Sequence, residues 1–249
     1  MIDLEHARSR DASDPLRDFR NRFIIADPDQ CYLDGNSLGR LPAATADAVQ
    51  RMTLAGWGSD LVTGWGGWID MAQRVGDKLG SSVLGAAAGQ VLVTDTTSVN
   101  LYRLALAAIK DRPGRSTIVV DKANFPTERY ILQGIAADLG MRLVTIPNKS
   151  PDVAECERIT SEILAEYLDD DVAFVCVQIV NYRSGARQDV PALTAAARDH
   201  GAYVLWDASH AVGSIDLRFD EWGVDIAVGC TYKYCNSGPG SPGWMYVRS

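Results

Sequence analysis

One lysine of this chain stands in a setting that suits covalent chemistry. Lys233 follows the short apolar run 226–229 and precedes a Gly-Pro-Gly turn. It lies between Tyr232 and Tyr234. Backbone and aromatic rings exclude water from a lysine amino group, which disfavours the ammonium form and leaves an amine able to attack a carbonyl. The pattern therefore indicates a nucleophilic lysine.

An acidic residue precedes this lysine by one predicted strand. The apolar run 203–206 ends in Asp207, and His210 follows shortly after. An enzyme that uses pyridoxal 5'-phosphate (PLP) needs a lysine to form a Schiff base. It also needs a carboxylate to keep the pyridinium nitrogen protonated, so that the ring can accept electrons. An acid at one strand end and a lysine after the next strand therefore predict a PLP site.

From residue 90 onward, short apolar runs alternate with helical patterns, and we expect these elements to position the site. Strands are predicted at 91–94, 117–120, 142–146, 172–177, 203–206, 226–229 and 244–247. Helices are predicted at 42–57, 68–84, 99–110, 127–139, 155–167 and 191–200, and an amphipathic segment at 16–23. This alternation predicts an α/β fold whose mainly parallel, seven-stranded sheet has helices on both faces. Such sheets bind ligands at the carboxyl ends of their strands.

Hydroxyl groups follow the first predicted strand. Thr96, Thr97 and Ser98 stand at the start of a predicted helix. Hydroxyls and free N–H groups at a helix N-terminus can hold a phosphate without any lysine. The same residues can also serve as an ordinary helix N-cap, so this feature alone leaves both interpretations open.

Further candidate groups follow the second and fourth predicted strands. The second is followed by Asn124-Phe125-Pro126-Thr127-Glu128, where Pro126 holds Phe125 in an extended conformation. The Phe125 ring can then stack on a flat cofactor, although such a residue can equally belong to the core. The polar loop 178–185 follows the fourth strand. Groups of this kind at five strand ends predict one site for a flat, phosphorylated, carbonyl-bearing ring.

Composition excludes several classes of function. The chain of 249 residues is 47% hydrophobic, enough for one large core or two small ones. A net charge of −8, with scattered basic residues, argues against nucleic acid or an anionic membrane as a partner. We see no membrane-spanning run, no signal peptide and no metal site. The five cysteines form no CxxC pair, which indicates free thiols in a reducing cytoplasm.

Several motifs together resemble those of kynureninases, which are PLP enzymes of the aspartate-aminotransferase fold (fold type I). The resemblance covers nearly the whole chain. Its most specific part is the combination of Leu-Asp-Gly-Asn-Ser-Leu-Gly near the start with Thr-Tyr-Lys-Tyr near the end. The motifs lie at 32–39, 64–68, 94–100, 124–127, 180–182, 206–210 and 229–234.

The resemblance assigns roles to particular residues. It implies that Lys233 is the Schiff-base lysine, that Asp207 is the partner of the pyridine nitrogen, and that Tyr232 helps to hold the phosphate. Tyr232 is also our candidate for moving a proton to the substrate Cβ. The implied cofactor-binding residues are Thr97, Ser98, Phe125, Pro126, Thr127, Glu128, Asp207, His210, Tyr232 and Lys233. Glu128 stands where family members commonly have aspartate, and Gln178 replaces a small hydroxyl residue.

The resemblance also implies an activity and a domain organisation. We expect PLP-dependent hydrolysis of L-kynurenine or 3-hydroxykynurenine to anthranilate or 3-hydroxyanthranilate and L-alanine, by a cytoplasmic homodimer. This reaction belongs to the kynurenine pathway of tryptophan catabolism and to NAD biosynthesis. Residues 1–60 are predicted to form an N-terminal arm and first helix, and residues 61–249 the PLP-binding large domain. The small C-terminal domain of the family is expected to be absent.

Two other functions are compatible with the sequence. A related PLP enzyme, of the cysteine desulfurase or selenocysteine lyase type, needs a mobile thiol, for which Cys230 and Cys235 are the candidates. The chain can also be an inactive fragment or a partner-binding module of such an enzyme.

Overall fold

A computed structural model describes residues 3–147 and 158–249 and contains one seven-stranded sheet. The strands are β1 (Val91–Val93), β2 (Thr117–Asp121), β3 (Arg142–Ile146), β4 (Val172–Gln178), β5 (Tyr203–Asp207), β6 (Ile226–Gly229) and β7 (Trp244–Val247). Their order is β1-β7-β6-β5-β4-β2-β3, and only β7 runs antiparallel to its neighbours. The prediction of a mainly parallel, seven-stranded sheet is confirmed, and each strand lies where the apolar runs placed it.

Helices connect most of these strands. They are α1 (Leu4–Ser13), α2 (Ala43–Arg51), α3 (Trp65–Trp68), α4 (Met71–Leu79), α5 (Thr97–Lys110), α6 (Pro126–Leu139), α7 (Ser161–Ala165), α8 (Val190–Asp199) and α9 (Phe219–Trp222). Single 3-10 segments occur at Arg17–Arg22 and Leu61–Gly64, and π-helical turns extend α2 and α4 through Met52–Trp57 and Gly80–Leu84. None of the helices within 3–147 and 158–249 is long and apolar enough to cross a membrane.

Helices cover both faces of the sheet, so its strands β2, β4 and β6 are buried on both sides. Successive residues of β2 point to opposite faces. Ile118 packs into one core with Leu101 of α5, whereas Val119 belongs to a second core with Leu193 of α8. All five residues of β2 are buried, which explains why the central strands appear in the sequence as continuous apolar runs.

The direction of β1 brings a distant part of the chain to the site. Both β1 and β6 are antiparallel to β7, which lies between them, so β1 and β6 run in the same direction. The carboxyl ends of β1, β2, β4, β5 and β6 therefore share one edge of the sheet. The groups that follow these strands meet at that edge.

The helix predictions differ from the structure in several places, and the short helices α3 and α9 were not predicted. α1 was not predicted, because it buries no residue and its sequence has no apolar face; Asp3 caps it by accepting a hydrogen bond from His6 N. The amphipathic segment 16–23 forms the short 3-10 segment instead. Part of the predicted helix 155–167 lies outside the described residues, and within them only α7 is helical.

Candidate active site

Asp207 and Lys233 come from the ends of two neighbouring parallel strands at the shared edge. Asp207 is the last residue of β5, and Lys233 follows the end of β6. One carboxylate oxygen of Asp207 accepts a hydrogen bond from Ser209 N at 2.8 Å, and the other accepts one from Gln178 Nε2 at 3.3 Å. Lys233 Nζ lies 2.9 Å from His210 Nε2. The acid and the lysine that the sequence paired are thus both held by specific partners.

A cavity of about 100 Å³ opens between these residues. It is lined by Thr97, Ser98, Phe125, Thr127, Glu128, Gln178, Asp207, Ser209, His210, Tyr232 and Lys233. Every predicted site residue except Pro126 therefore lines one cavity. Pro126 is the first residue of α6 and acts on the cavity through the backbone, because it keeps Phe125 extended at ψ 131°.

The N-terminus of α5 supports both interpretations of its hydroxyl residues. Thr96 is the N-cap and accepts a hydrogen bond from Val99 N at 3.2 Å, while Thr97 and Ser98 line the cavity. Gly243, just before β7, packs against this turn: a Cβ there would lie 2.8 Å from Thr97 N. The missing side chain of Gly243 thus leaves room for the helix terminus beside β7.

The rings of two cavity residues, Phe125 and His210, both lie next to the ring of Tyr182. Phe125 is 40% exposed and contacts the ring of Tyr182 edge-on, with centroids 5.2 Å apart. The Tyr182 ring also lies 6.5 Å from the imidazole of His210. Contacts of this kind restrict ring orientation. Tyr182 therefore helps to fix the orientation of the Phe125 ring, which is predicted to stack on the cofactor.

Glu128 is a second buried acid beside Asp207. Its side chain is only 4% exposed. Burial raises the pKa of Glu128 well above its usual range, and the nearby Asp207 carboxylate raises it further. The Cys176 thiol lies 3.9 Å from Glu128 Oε2. Both causes favour the protonated, uncharged form of Glu128, whose state its position in the sequence alone left open.

Two other titratable groups of the cavity are neutral at neutral pH. Burial raises the pKa of Tyr232 to about 12, so that its hydroxyl keeps its proton. Burial and then the positive charge of Lys233 lower the pKa of His210. Tyr232 is thus available as a hydrogen-bond or proton donor, and His210 Nε2 can accept a hydrogen bond from Lys233.

Sequence reasoning did not assign three residues that the structure brings to the site. Gln178 pairs in register with Asp207 across β4 and β5, and Ser209 donates its backbone N–H to the same carboxylate. Tyr182 belongs to a motif that was noted but given no role. The register between two strands cannot be predicted from one sequence, so these contacts could not be predicted either.

The residues of this site fit PLP. Hydroxyls and a helix N-terminus suit a phosphate, Phe125 suits a flat ring, and the buried Asp207 suits a protonated pyridine nitrogen. The Oε1 atom of Gln178 is buried without a hydrogen-bond partner among the described residues, which indicates a group still to be bound.

The fold and the site together define a class. The chain belongs to the aminotransferase class-V family, whose model matches residues 73–249. It is similar in fold to a solved variant of C-DES that holds glycine covalently linked to the PLP cofactor, with a TM-score of 0.75 and 18% identity over 95% of this chain and 60% of that one.

Within the class, the chain is similar to kynureninases. It is 39% identical over 257 residues to kynureninase from Burkholderia pseudomallei (strain 1106a), covering 99% of this chain and 58% of that protein. It is 38% identical over 247 residues to kynureninase from Pseudomonas fluorescens, covering 95% and 56%. The resemblance found in the sequence is confirmed. The chain spans less than two thirds of the length of these relatives.

Proposed function

We propose that the protein carrying this chain is a PLP-dependent hydrolase. Its substrate is L-kynurenine or 3-hydroxykynurenine, and its products are L-alanine and anthranilate or 3-hydroxyanthranilate. The observation that carries this proposal is the meeting of Lys233, Asp207 and the α5 hydroxyls in one cavity. The similarity to kynureninases along nearly the whole chain supports the choice of substrate. We retain the division into an arm and first helix (1–60) and a PLP-binding large domain (61–249) as part of the proposal.

The proposed roles of the cavity residues follow from their chemistry. When bound, PLP supplies an electron sink next to the substrate amine. Thr97 and Ser98 would hold its phosphate together with the α5 N-terminus, and Phe125 would stack on its ring. Asp207 keeps a proton on the ring nitrogen, and its own oxygens are oriented by Ser209 and Gln178.

Proton transfer falls to two neighbouring side chains. Lys233 Nζ would hold the cofactor when it is bound, and its free amine would take the proton from the substrate Cα. Tyr232 is adjacent in sequence and keeps its hydroxyl proton at neutral pH. We assign to it the proton that Cβ needs when the Cβ–Cγ bond breaks. Water adds to the γ-carbonyl and supplies the carboxylate oxygen of the released aromatic acid.

The cysteine desulfurase alternative finds no support in the thiols near Lys233. Cys230 is 2% exposed, and Cys235 is half-buried with its pKa raised to about 11 by burial. A nucleophilic cysteine needs an accessible thiolate, and both positions disfavour one. The similarity to the solved cysteine desulfurase CsdA from Escherichia coli is 17% identity and concerns the fold alone.

Turnover of two amino acids tests the proposed function. We expect the protein produced from the gene carrying this chain to release an aromatic acid and alanine from kynurenine or 3-hydroxykynurenine. We expect it to release no sulfide or alanine from cysteine. Fluorescence of the aromatic acid and chromatography of alanine measure both reactions. Sulfide release without kynurenine cleavage would favour the desulfurase alternative, and PLP binding without either reaction would favour a binding module.

We also propose that the protein is a cytoplasmic homodimer. Residues 54–69 carry large apolar side chains that are between 58 and 77% exposed. They are Leu54, Trp57, Leu61, Val62, Trp65 and Ile69. An exposed apolar patch of this size indicates an interface, and a second copy of the chain is the partner that we propose. The described cysteines, Cys31, Cys176, Cys230 and Cys235, are all free thiols, which supports a reducing compartment.

A charge placed in this patch tests the dimer. We expect the wild-type protein to sediment as a dimer and Val62→Asp to shift it toward the monomer, because a carboxylate in an apolar interface must be desolvated. Leu139→Asp is the control, since Leu139 is exposed on α6 outside the patch. Equal masses for the wild type and both variants would contradict this interface.

A further inference from the structure

A segment of the N-terminal arm packs directly against the turn that carries Lys233. Residues 32–40 form this arm segment, and Gly39 N donates a hydrogen bond to Tyr232 O at 2.8 Å. A Cβ on Gly39 would lie 2.2 Å from the carbonyl oxygen of Lys233 and 2.2 Å from Asn236 Oδ1. Real Cβ contacts are never this short, so only glycine allows the two backbones to approach this closely.

The turn around Lys233 is fixed from its other side as well. Asn236 N donates to the carbonyl oxygen of Lys233 at 3.0 Å, and Asn236 Nδ2 donates to Tyr234 O at 2.9 Å. Asn236 has a left-handed conformation with φ 55°, which asparagine tolerates better than most residues. The peptide that carries Lys233 is thus held between Asn236 and Gly39.

The arm segment is itself held in shape by one tyrosine. Tyr32 OH donates to Leu38 O at 2.6 Å and also contacts Asp34 O at 3.2 Å. The guanidinium of Arg40 lies 5.0 Å from the centroid of the Tyr32 ring. Tyr32 therefore keeps the chain just before Gly39 in the conformation that packs against the turn carrying Lys233.

The arm segment also reaches the partner of the lysine. The backbone of Asn36 lies close enough to the imidazole of His210 to raise its pKa, without a hydrogen bond to its buried Nδ1 among the described residues, and His210 Nε2 lies 2.9 Å from Lys233 Nζ. The same short stretch thus contacts the peptide of Lys233 and lies near the side chain beside its amino group. A shift of the arm segment would move these two groups relative to each other.

We propose that the arm segment positions Lys233 and that Gly39 is a positioning residue of the PLP site. The segment fixes the Lys233 peptide, and with it the point that Nζ can reach in the cavity. This inference rests on the proposed function only in taking Lys233 as the residue that binds the cofactor. A displacement on the order of 1 Å is enough to lower rates about a hundredfold in such sites.

Gly39→Ala tests this role, and Gly35→Ala is its matched control. Gly35 belongs to the same arm segment, but a Cβ there meets nothing within 4 Å. The first measurement needs no cofactor: the apo-protein is labelled with an amine-reactive reagent, and labelling at Lys233 is compared by mass spectrometry with that at Lys110. We expect Gly39→Ala to increase relative labelling at Lys233, because the displaced amine loses His210, and Gly35→Ala to leave it unchanged.

The second measurement is capture of PLP at Lys233 by borohydride reduction over a range of PLP concentrations. We expect Gly39→Ala to need about tenfold more PLP than the wild type or Gly35→Ala. Should Gly39→Ala fail to fold, as judged by thermal unfolding of the apo-protein, Tyr32→Phe takes its place. We expect a smaller change in the same direction, because this variant keeps the ring and loses only the hydroxyl contacts.

The outcomes separate this inference from the proposed function. Gly39→Ala and Gly35→Ala could show equal labelling and equal PLP capture, with only a lower unfolding temperature for Gly39→Ala. That result would mean that Gly39 has a purely structural role, and it would overturn the inference. If the wild type captures no PLP at Lys233, the proposed function fails. A difference in Lys233 labelling between the two variants would still support the positioning role in that case.

Discussion

Replacing Lys233 by alanine is expected to remove the covalent bond between protein and cofactor and to lower kynurenine turnover by at least about 10³-fold. The variant loses both the amine that attacks the cofactor carbonyl and the base proposed for the substrate Cα proton. Borohydride reduction followed by peptide mapping measures the first loss, and the release of anthranilate measures the second. The cavity itself should survive, because its other lining residues come from several separate strands and helices.

Lys122 supplies the control for this experiment. It directly follows β2 at the same edge of the sheet and is exposed, and the cavity lining does not include it. Lys122→Ala should therefore keep the borohydride-trapped peptide and the activity of the wild type. A reduced adduct mapped to Lys122, or one that persists in Lys233→Ala, would contradict the assignment of the lysine.

Replacing Asp207 by asparagine is expected to keep PLP bound but to lower turnover by about a hundredfold or more. An amide has nearly the same shape, yet it cannot hold a proton on the ring nitrogen, so the ring loses much of its capacity to accept electrons. Steady-state kinetics together with the absorption spectrum of bound PLP measure the two effects separately.

Glu128→Gln provides a matched comparison within the same buried pair. Because burial and the neighbouring Asp207 favour the uncharged form of Glu128, the amide of glutamine matches that form in charge and in its capacity to donate a hydrogen bond. We expect turnover to fall by no more than about tenfold, as for the loss of one neutral hydrogen bond. A loss in Glu128→Gln as large as that in Asp207→Asn would show that the two acids have the opposite assignment or act as one unit.

The sequence predicted the strands well for a physical reason. Strands that are covered by helices on both faces must be apolar at nearly every position, and β2, β4 and β6 are buried throughout. Residues at the carboxyl ends of such strands then share one edge. The sequence alone was therefore enough to predict that Lys233 and Asp207 belong to the same site.

Other parts of the site depend on information that one sequence does not contain. The place of β7 between β1 and β6 is a matter of strand order, and the pairing of Gln178 with Asp207 is a matter of register. The contact of Gly39 with the Lys233 peptide involves only backbone atoms from distant parts of the chain. Such contacts leave no periodicity or charge pattern from which they could be predicted.

The place of β7 in the sheet also sets the order in which the site can form during synthesis. β7 is the last described strand in the sequence, yet β1 pairs with β7 alone, Val91 lying opposite Tyr246. A nascent chain lacking residues 244–247 can pair β4, β5 and β6 and so present Asp207, but its first strand has no neighbour to join. Pairing β1 with β7 closes a loop that contains all the other strands, and closing so long a loop is slow. The ring-binding end of the site can therefore assemble before its phosphate-binding end, although Thr97 and Ser98 are synthesised first. We expect a nascent chain to retain PLP only after β7 has emerged.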